Sequence, residues 1–257
     1  MKNLYDKSKL AFSIVWIAIY VVLLSVADGV SSALSVEKVV TAPLCLALTI
    51  YLFVWLKKHD LLCTYGVCAP KCQAKRYLFY LPLLIILSVN FWGGVGTSLN
   101  IAEIVLYIIS MLCVGFLEEI IFRGFLFTAM KKDNLKAAVI VSSITFGIGH
   151  IVNLLSGAEF LPTLLQIIYA AAAGFLFTIM FYKSGSLLFP ILVHSLLNAT
   201  SAFCIQGNMQ LQIITACVLT VVSIVYALII LRLNKTNKEQ NLEKPVENNL
   251  EKNSSDK

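Results

Sequence analysis

Charge is scarce in this 257-residue chain. Only 13% of positions are Asp, Glu, Lys or Arg, against 59% apolar. Soluble domains carry roughly one quarter charged residues, so the ordinary soluble class is excluded, and nothing suggests a second, soluble domain. Also missing is the ten-residue alternation of apolar and polar positions that marks a membrane-spanning strand, which excludes a barrel. The apolar stretch 11–24 lacks a prompt small-residue cleavage site and is too long for a signal-peptide core, so it reads as a retained first span. A standard zinc-binding cysteine spacing is absent too. Cys63, Cys68 and Cys72 lie close together, with His59 nearby, but their C-x4-C-x3-C spacing is not a zinc pattern. Cys45, Cys113, Cys204 and Cys217 fall in apolar stretches as small hydrophobes.

What the sequence has is long apolar runs. Lipid leaves only helices once barrels are excluded, so the predicted fold is all-α and polytopic. Eight spans are expected, near 11–30, 39–56, 77–92, 99–117, 137–155, 162–182, 186–204 and 209–231, crossing a hydrocarbon core of roughly 30 Å. Segment 118–130 continues the fourth run, which makes that helix unusually long or broken near Gly115 or Gly124. The expected organisation is a transmembrane domain over 1–231, with its core about 99–204, and a polar, disordered cytoplasmic tail over 232–257.

Basic residues set the expected orientation. Of twenty Lys and Arg residues, eighteen fall on one side of these spans, Lys38 falls on the other, and Arg123 is intramembrane. Both termini are therefore expected in the cytoplasm, and the net charge of +6 reads as a topology signal rather than a nucleic-acid footprint.

Ionisable residues inside a membrane are costly and concentrate at functional sites. Asp28 and Glu103 lie near the outer ends of their spans, where a structural role suffices. Glu118, Glu119, Arg123, His150 and His194 lie deeper. Glu119 and Arg123, four positions apart, share a helix face and can neutralise one another, as a structural staple also would. Glu118 points about 100° away from that pair. Counted from the Lys131–Lys136 turn at 1.5 Å per residue, Glu118 and His150 both lie roughly 20 Å deep. His194 lies roughly 16 Å past Lys183, with Asn198 one turn on. A carboxylate, two imidazoles and an amide on three helices thus converge at similar depth, and Gly124, Gly147 and Gly149 beside them suit close helix approach.

No serine or cysteine is obviously paired with either imidazole, so hydrolysis by an activated water fits best. Either Glu118 is the general base, with His150 orienting water and His194 and Asn198 donating to an oxyanion, or Glu118, His150 and His194 hold a zinc ion, with Glu119 as base. None of the three histidines has a partner four residues away, so an HExxH site is excluded.

Three short motifs stand in order: EExxxR at 118–123, FxxxH at 146–150 followed by Asn153, and HxxxN at 194–198. Through them the sequence resembles the CPBP family of intramembrane proteases, the CAAX-protease and bacteriocin-processing or Abi family, which includes the type II CAAX prenyl endopeptidase. The resemblance covers about 116–200. It implies a protease in which Glu118 and His150 activate water, Glu119 and Arg123 form a supporting ion pair, and His194 and Asn198 stabilise the oxyanion. Members are described as metalloendopeptidases, yet the glutamate-dependent scheme is the better structural account, so the cofactor stays open between zinc and none. The implied partners are membrane lipid and a peptide or protein substrate, lipidated or membrane-embedded, cut near the cytoplasmic side of the bilayer; compact spans with short loops and a lysine- and asparagine-rich tail suit a bacterial plasma membrane. Prenylated substrates are not implied by the chain itself. A bacteriocin-immunity or scaffold protein that needs no proteolysis, and a small transporter, are the alternatives; no internal repeat speaks for the latter.

Overall fold

The computed structural model describes residues 1–70 and 80–254. Short α1 (Lys2–Lys7) leads into α2 (Lys9–Ala33) and α3 (Thr41–Lys58), and α4 (Tyr80–Ser88) follows. The next helix begins as α5 (Ile101–Glu118), continues as a π-helix (Glu119–Phe127) and closes with the α-turn α6 (Thr128–Met130). Then come α7 (Leu135–Gly149), a 3-10 helix (His150–Ser156), α8 (Phe160–Ser184), α9 (Leu188–Thr200) and α10 (Met209–Ser254). The chain is thus an all-α polytopic membrane protein. Among the described residues, six stretches are long and apolar enough to cross a bilayer, the last being Met209–Arg232. The two other expected spans correspond to the shorter apolar helices Pro82–Phe91 and Leu188–Phe203. The helical backbone of α10 continues through the polar tail to Ser254.

Local chemistry fixes where these helices start and stop. The Ser8 hydroxyl accepts from Ala11 N at 3.2 Å at the start of α2, and Asn134 Oδ1 accepts from Ala137 N at 3.0 Å at the start of α7. Asn100 and Glu103 form a reciprocal capping box on α5, each side chain taking the other's backbone N–H at 3.0 Å. Glu103 also accepts from Glu37 N, and Asp28 takes Lys38 at 2.8 Å and Thr41, which gives both outer carboxylates the structural role expected of them. Gly157 and Gly185 end their helices at φ of 85° and 69°, the left-handed conformation that glycine adopts without a Cβ penalty.

The bundle has two chemically different ends. At one, Leu187 N donates to Gly66 O at 2.8 Å, Ser186 Oγ donates to Cys68 O at 2.6 Å, and Tyr65 Oη donates to Tyr5 Oη at 3.0 Å. This end carries Lys2, Lys7, Lys9, Lys57, Lys58, Lys131, Lys132, Lys136 and Lys183. At the other, Gly96 N donates to Phe203 O, Ile205 N donates to Gly94 O, and Lys38 is the one Lys or Arg among the described residues. Lys71, Cys72, Lys75 and Arg76 lie outside the described residues. Cys63 is exposed and Cys68 partly so, both at the basic end.

Candidate active site

The sequence 118–127 does not continue as an α-helix. It widens into a nine-residue π-helix immediately after Glu118, and such insertions cluster at functional sites because they re-aim side chains and free backbone carbonyls. One of those carbonyls, Phe122 O, accepts from Ser142 Oγ of α7 at 2.9 Å. Every residue of the π-helix is buried, so the two adjacent glutamates face different surroundings.

Glu119 and Arg123 are fully buried, and their side chains meet at 3.1 Å. The guanidinium also lies over the Phe146 ring, 4.0 Å from its centre, with Phe177 at 5.9 Å. A planar guanidinium suits this stacked position better than a lysine ammonium. Space for it exists because residue 174 is glycine: a Cβ there would come within 3.0 Å of Arg123 Nη2 and 3.3 Å of Ser143 Cα. Glu119 Oε2 and the guanidinium nitrogens make no hydrogen bond of good geometry to protein, a polarity that ordered water commonly satisfies.

His194 of α9 stands between the two glutamates. Its Nδ1 is 2.9 Å from Glu119 Oε1 and its Nε2 is 3.3 Å from Glu118 Oε2. Both ring nitrogens therefore face carboxylate oxygens. Glu118 retains 14% side-chain exposure, unlike Glu119, and its Oε1 accepts a 2.8 Å hydrogen bond from Tyr20 of α2. Tyr20 is the residue that sequence reasoning missed. A tyrosine in an apolar span is ordinary, and only its contact across 98 positions distinguishes it.

His150 begins the 3-10 helix after α7, with Nδ1 3.1 Å from Phe146 O. That carbonyl suits an Nδ1–H donor and leaves Nε2 as the acceptor. The ring of Phe146 makes edge contacts with both His150 and His194, at centroid distances of 5.3 and 5.6 Å. Phe146 thereby organises both imidazoles and the guanidinium. Asn153 is tied to α8 through Gln166 at 2.9 Å.

Glu118, His150, His194 and Asn198 all line one chamber of about 630 Å³, whereas Glu119 and Arg123 lie behind its wall. The structure thus brings the expected residues together but pairs them differently. The imidazole against Glu118 is that of His194, and His150 lines the chamber with its Nδ1 at the Phe146 carbonyl. Ser195, adjacent to His194, donates instead to Leu112 O at 3.1 Å and packs against Gly115, where an added Cβ would lie 2.8 Å from Ser195 Cα. Its hydroxyl is a helix-packing group. Gly147 allows a similar approach: a Cβ would meet Ile167 O at 2.7 Å and Ala171 Cβ at 2.8 Å. Gly149 has open space there, and Gly124 makes ordinary contacts.

The candidate zinc set of Glu118, His150 and His194 does not fit a metal ion. Among the described residues no three His, Cys, Asp or Glu side chains are grouped to hold one. Both nitrogens of His194 are already directed at carboxylates, which leaves neither turned toward a shared metal position. Glu119, the alternative base, is closed off from the chamber by its complete burial.

A family model described as type II CAAX prenyl endopeptidase Rce1-like matches residues 100–200, the stretch from α5 to the end of α9. No curated protein and no solved structure matches the chain. The matched segment supplies both glutamates, Arg123, both chamber histidines and Asn198, whereas Tyr20 comes from outside it. Through residues 100–200 the chain is similar to the Rce1-like type II CAAX prenyl endopeptidase family, a likeness that supports a CPBP-family intramembrane protease.

Proposed function

We propose that this protein is an intramembrane endopeptidase that hydrolyses a peptide bond with a water activated by Glu118. The observation that carries this reading is the position of Glu118. Among the deep carboxylates it is the one that reaches the chamber, and it does so between Tyr20 and His194. A carboxylate held by hydrogen bonds yet open to a water-accommodating cavity suits general-base work.

In the proposed reaction Glu118 takes a proton from water as its oxygen attacks the scissile carbonyl carbon, and the carbonyl electron pair moves onto oxygen. His194, whose Nε2–H is released from Glu118 once that carboxylate has taken up the proton, and the Asn198 amide donate to that oxyanion. His150, with Nδ1 tied to the Phe146 carbonyl, presents Nε2 to orient the water. Collapse of the intermediate breaks the C–N bond, and the departing amine receives the proton held by Glu118. Glu119 and Arg123 do not touch substrate. They hold the His194 ring, Glu119 by accepting from Nδ1 and Arg123 by balancing the charge of Glu119. The distribution of basic residues supports a plasma-membrane protein with its lysine-rich end in the cytoplasm.

The test is cleavage of candidate membrane-associated peptides by the purified chain in liposomes, alongside Glu118→Ala and His150→Ala. Both variants are expected to lose cleavage while remaining folded, and chelator is expected to leave the parent active. A folded parent that cleaves nothing while protecting cells from a bacteriocin would favour the immunity reading.

A further inference from the structure

The chamber is one-sided. Its lining runs along each helix from the level of Glu118 toward the end that bears Lys38, and ends there among Asp28, Lys38, Gly93, Ala158, Gln206 and Gly207. Among the described residues, none of its lining comes from the loops at the basic end. In that direction it is floored by Phe122, Phe146 and Phe177. Beyond the floor the bundle is filled by aromatic side chains: Phe12, Trp55, Tyr65, Phe125, Phe127 and Phe181 are all buried. Phe12 stacks on Trp55 at 5.3 Å, and the others pack edge to face, Tyr65 on Phe125 at 4.9 Å and Phe127 on Phe181 at 6.0 Å. The loop bonds of Gly66 and Cys68 to Leu187 and Ser186 close the same end.

We infer that substrate reaches Glu118 from the end of the bundle opposite the lysine-rich loops, so that the enzyme takes an extended peptide segment presented at the extracytoplasmic side of the membrane. This rests on the peptidase reading and on the cytoplasmic placement of the basic end, and it replaces the expected cleavage near the cytoplasmic side. A water-filled path from the cytoplasm to Glu118 would have to pass the aromatic plug, whereas from the other end the path is the chamber itself. The chemistry of its wall fits a peptide backbone. Asn153, Gln166, Asn198, Gln206 and Gln212 line it, and amide side chains supply both donors and acceptors to a main chain that lipid would leave unsatisfied.

Two native cysteines serve as reporters at opposite ends: Cys204 lines the chamber and Cys63 is exposed at the basic end. Full-length variants retaining only Cys204 or only Cys63, and a third carrying Gln206→Cys alone, would be expressed in bacterial cells and treated with a membrane-impermeant sulfonated maleimide. Labelling of Cys204 and of Gln206→Cys in intact cells is expected, with loss of Cys63 labelling unless the cells are permeabilised. Failure of Cys204 or Gln206→Cys to label from outside, or labelling of Cys63 in intact cells, overturns the inference. The readout does not require cleavage. A chain that labels as expected but hydrolyses no peptide would therefore retain the access route and lose the peptidase reading.

Discussion

The Tyr20 hydroxyl donates to Glu118 Oε1 at 2.8 Å, joining the first long helix to the carboxylate on which the chemistry is proposed to depend. The bond fixes one oxygen of Glu118 while the other faces His194 at 3.3 Å. Tyr20 acts as a positioning residue, since it does not itself donate to the reacting carbonyl. A hydrogen bond to a charged group is worth about 1.5–3 kcal/mol, so Tyr20→Phe is expected to lower kcat by roughly ten- to hundredfold. KM should change little, because Tyr20 touches the carboxylate and not the substrate. Steady-state kinetics would check this; an unchanged kcat, or a change confined to KM, would remove Tyr20 from the site.

Arg123 and Glu119 are expected to behave as a unit. Removing one partner of a buried ion pair leaves an uncompensated charge and costs about 3–5 kcal/mol, so Arg123→Met should destabilise the bundle severely. Replacing both, as Arg123→Met with Glu119→Met, should recover much of that stability. It should not recover cleavage, because His194 Nδ1 loses its acceptor. Thermal unfolding in detergent, measured beside activity, separates the two effects.

The intramembrane polar cluster was legible in the sequence because carboxylates, imidazoles and a guanidinium inside apolar runs violate the chemistry of their surroundings. Counting helical rise from the basic turns was enough to bring Glu118, His150 and His194 to one depth. Depth does not give azimuth, however. Which imidazole faces Glu118 depends on the π-helical widening after it, and nothing in the local sequence EIIFRGFLF announces that widening. Tyr20 was illegible for the opposite reason, being unremarkable where it stands. Among the described residues, two of the eight expected spans correspond to shorter apolar helices, since an apolar run does not reveal where its helix ends.

Glycines adjoining the motifs illustrate the same division. Gly147 and Gly149 are indistinguishable by sequence, but only the first has backbone pressed against it. Gly147→Ala should push α7 from α8 at a cost of roughly 1–3 kcal/mol, with cleavage falling alongside. Gly149→Ala, facing open space, should leave thermal stability unchanged or slightly raised, since alanine is the better helix former. The melting temperatures of the two variants would show it.

Ser195 is expected to be dispensable for chemistry. Ser195→Ala removes the hydrogen bond to Leu112 O, a loss of about 1 kcal/mol in stability, and should retain cleavage. Insensitivity of the parent protein to serine-directed phosphonates would agree; covalent labelling at Ser195 would contradict the water-based scheme.

The most direct measurement is the cleavage rate of Glu118→Gln in liposomes. Glutamine preserves the size of the side chain and its carbonyl oxygen can still accept from Tyr20, so the variant should fold as the parent does. It cannot take a proton from water. General-base catalysis contributes about 10²–10⁴-fold, and the account predicts a loss of that order with unfolding behaviour unchanged. A folded Glu118→Gln protein that cleaves at the parent rate would contradict it.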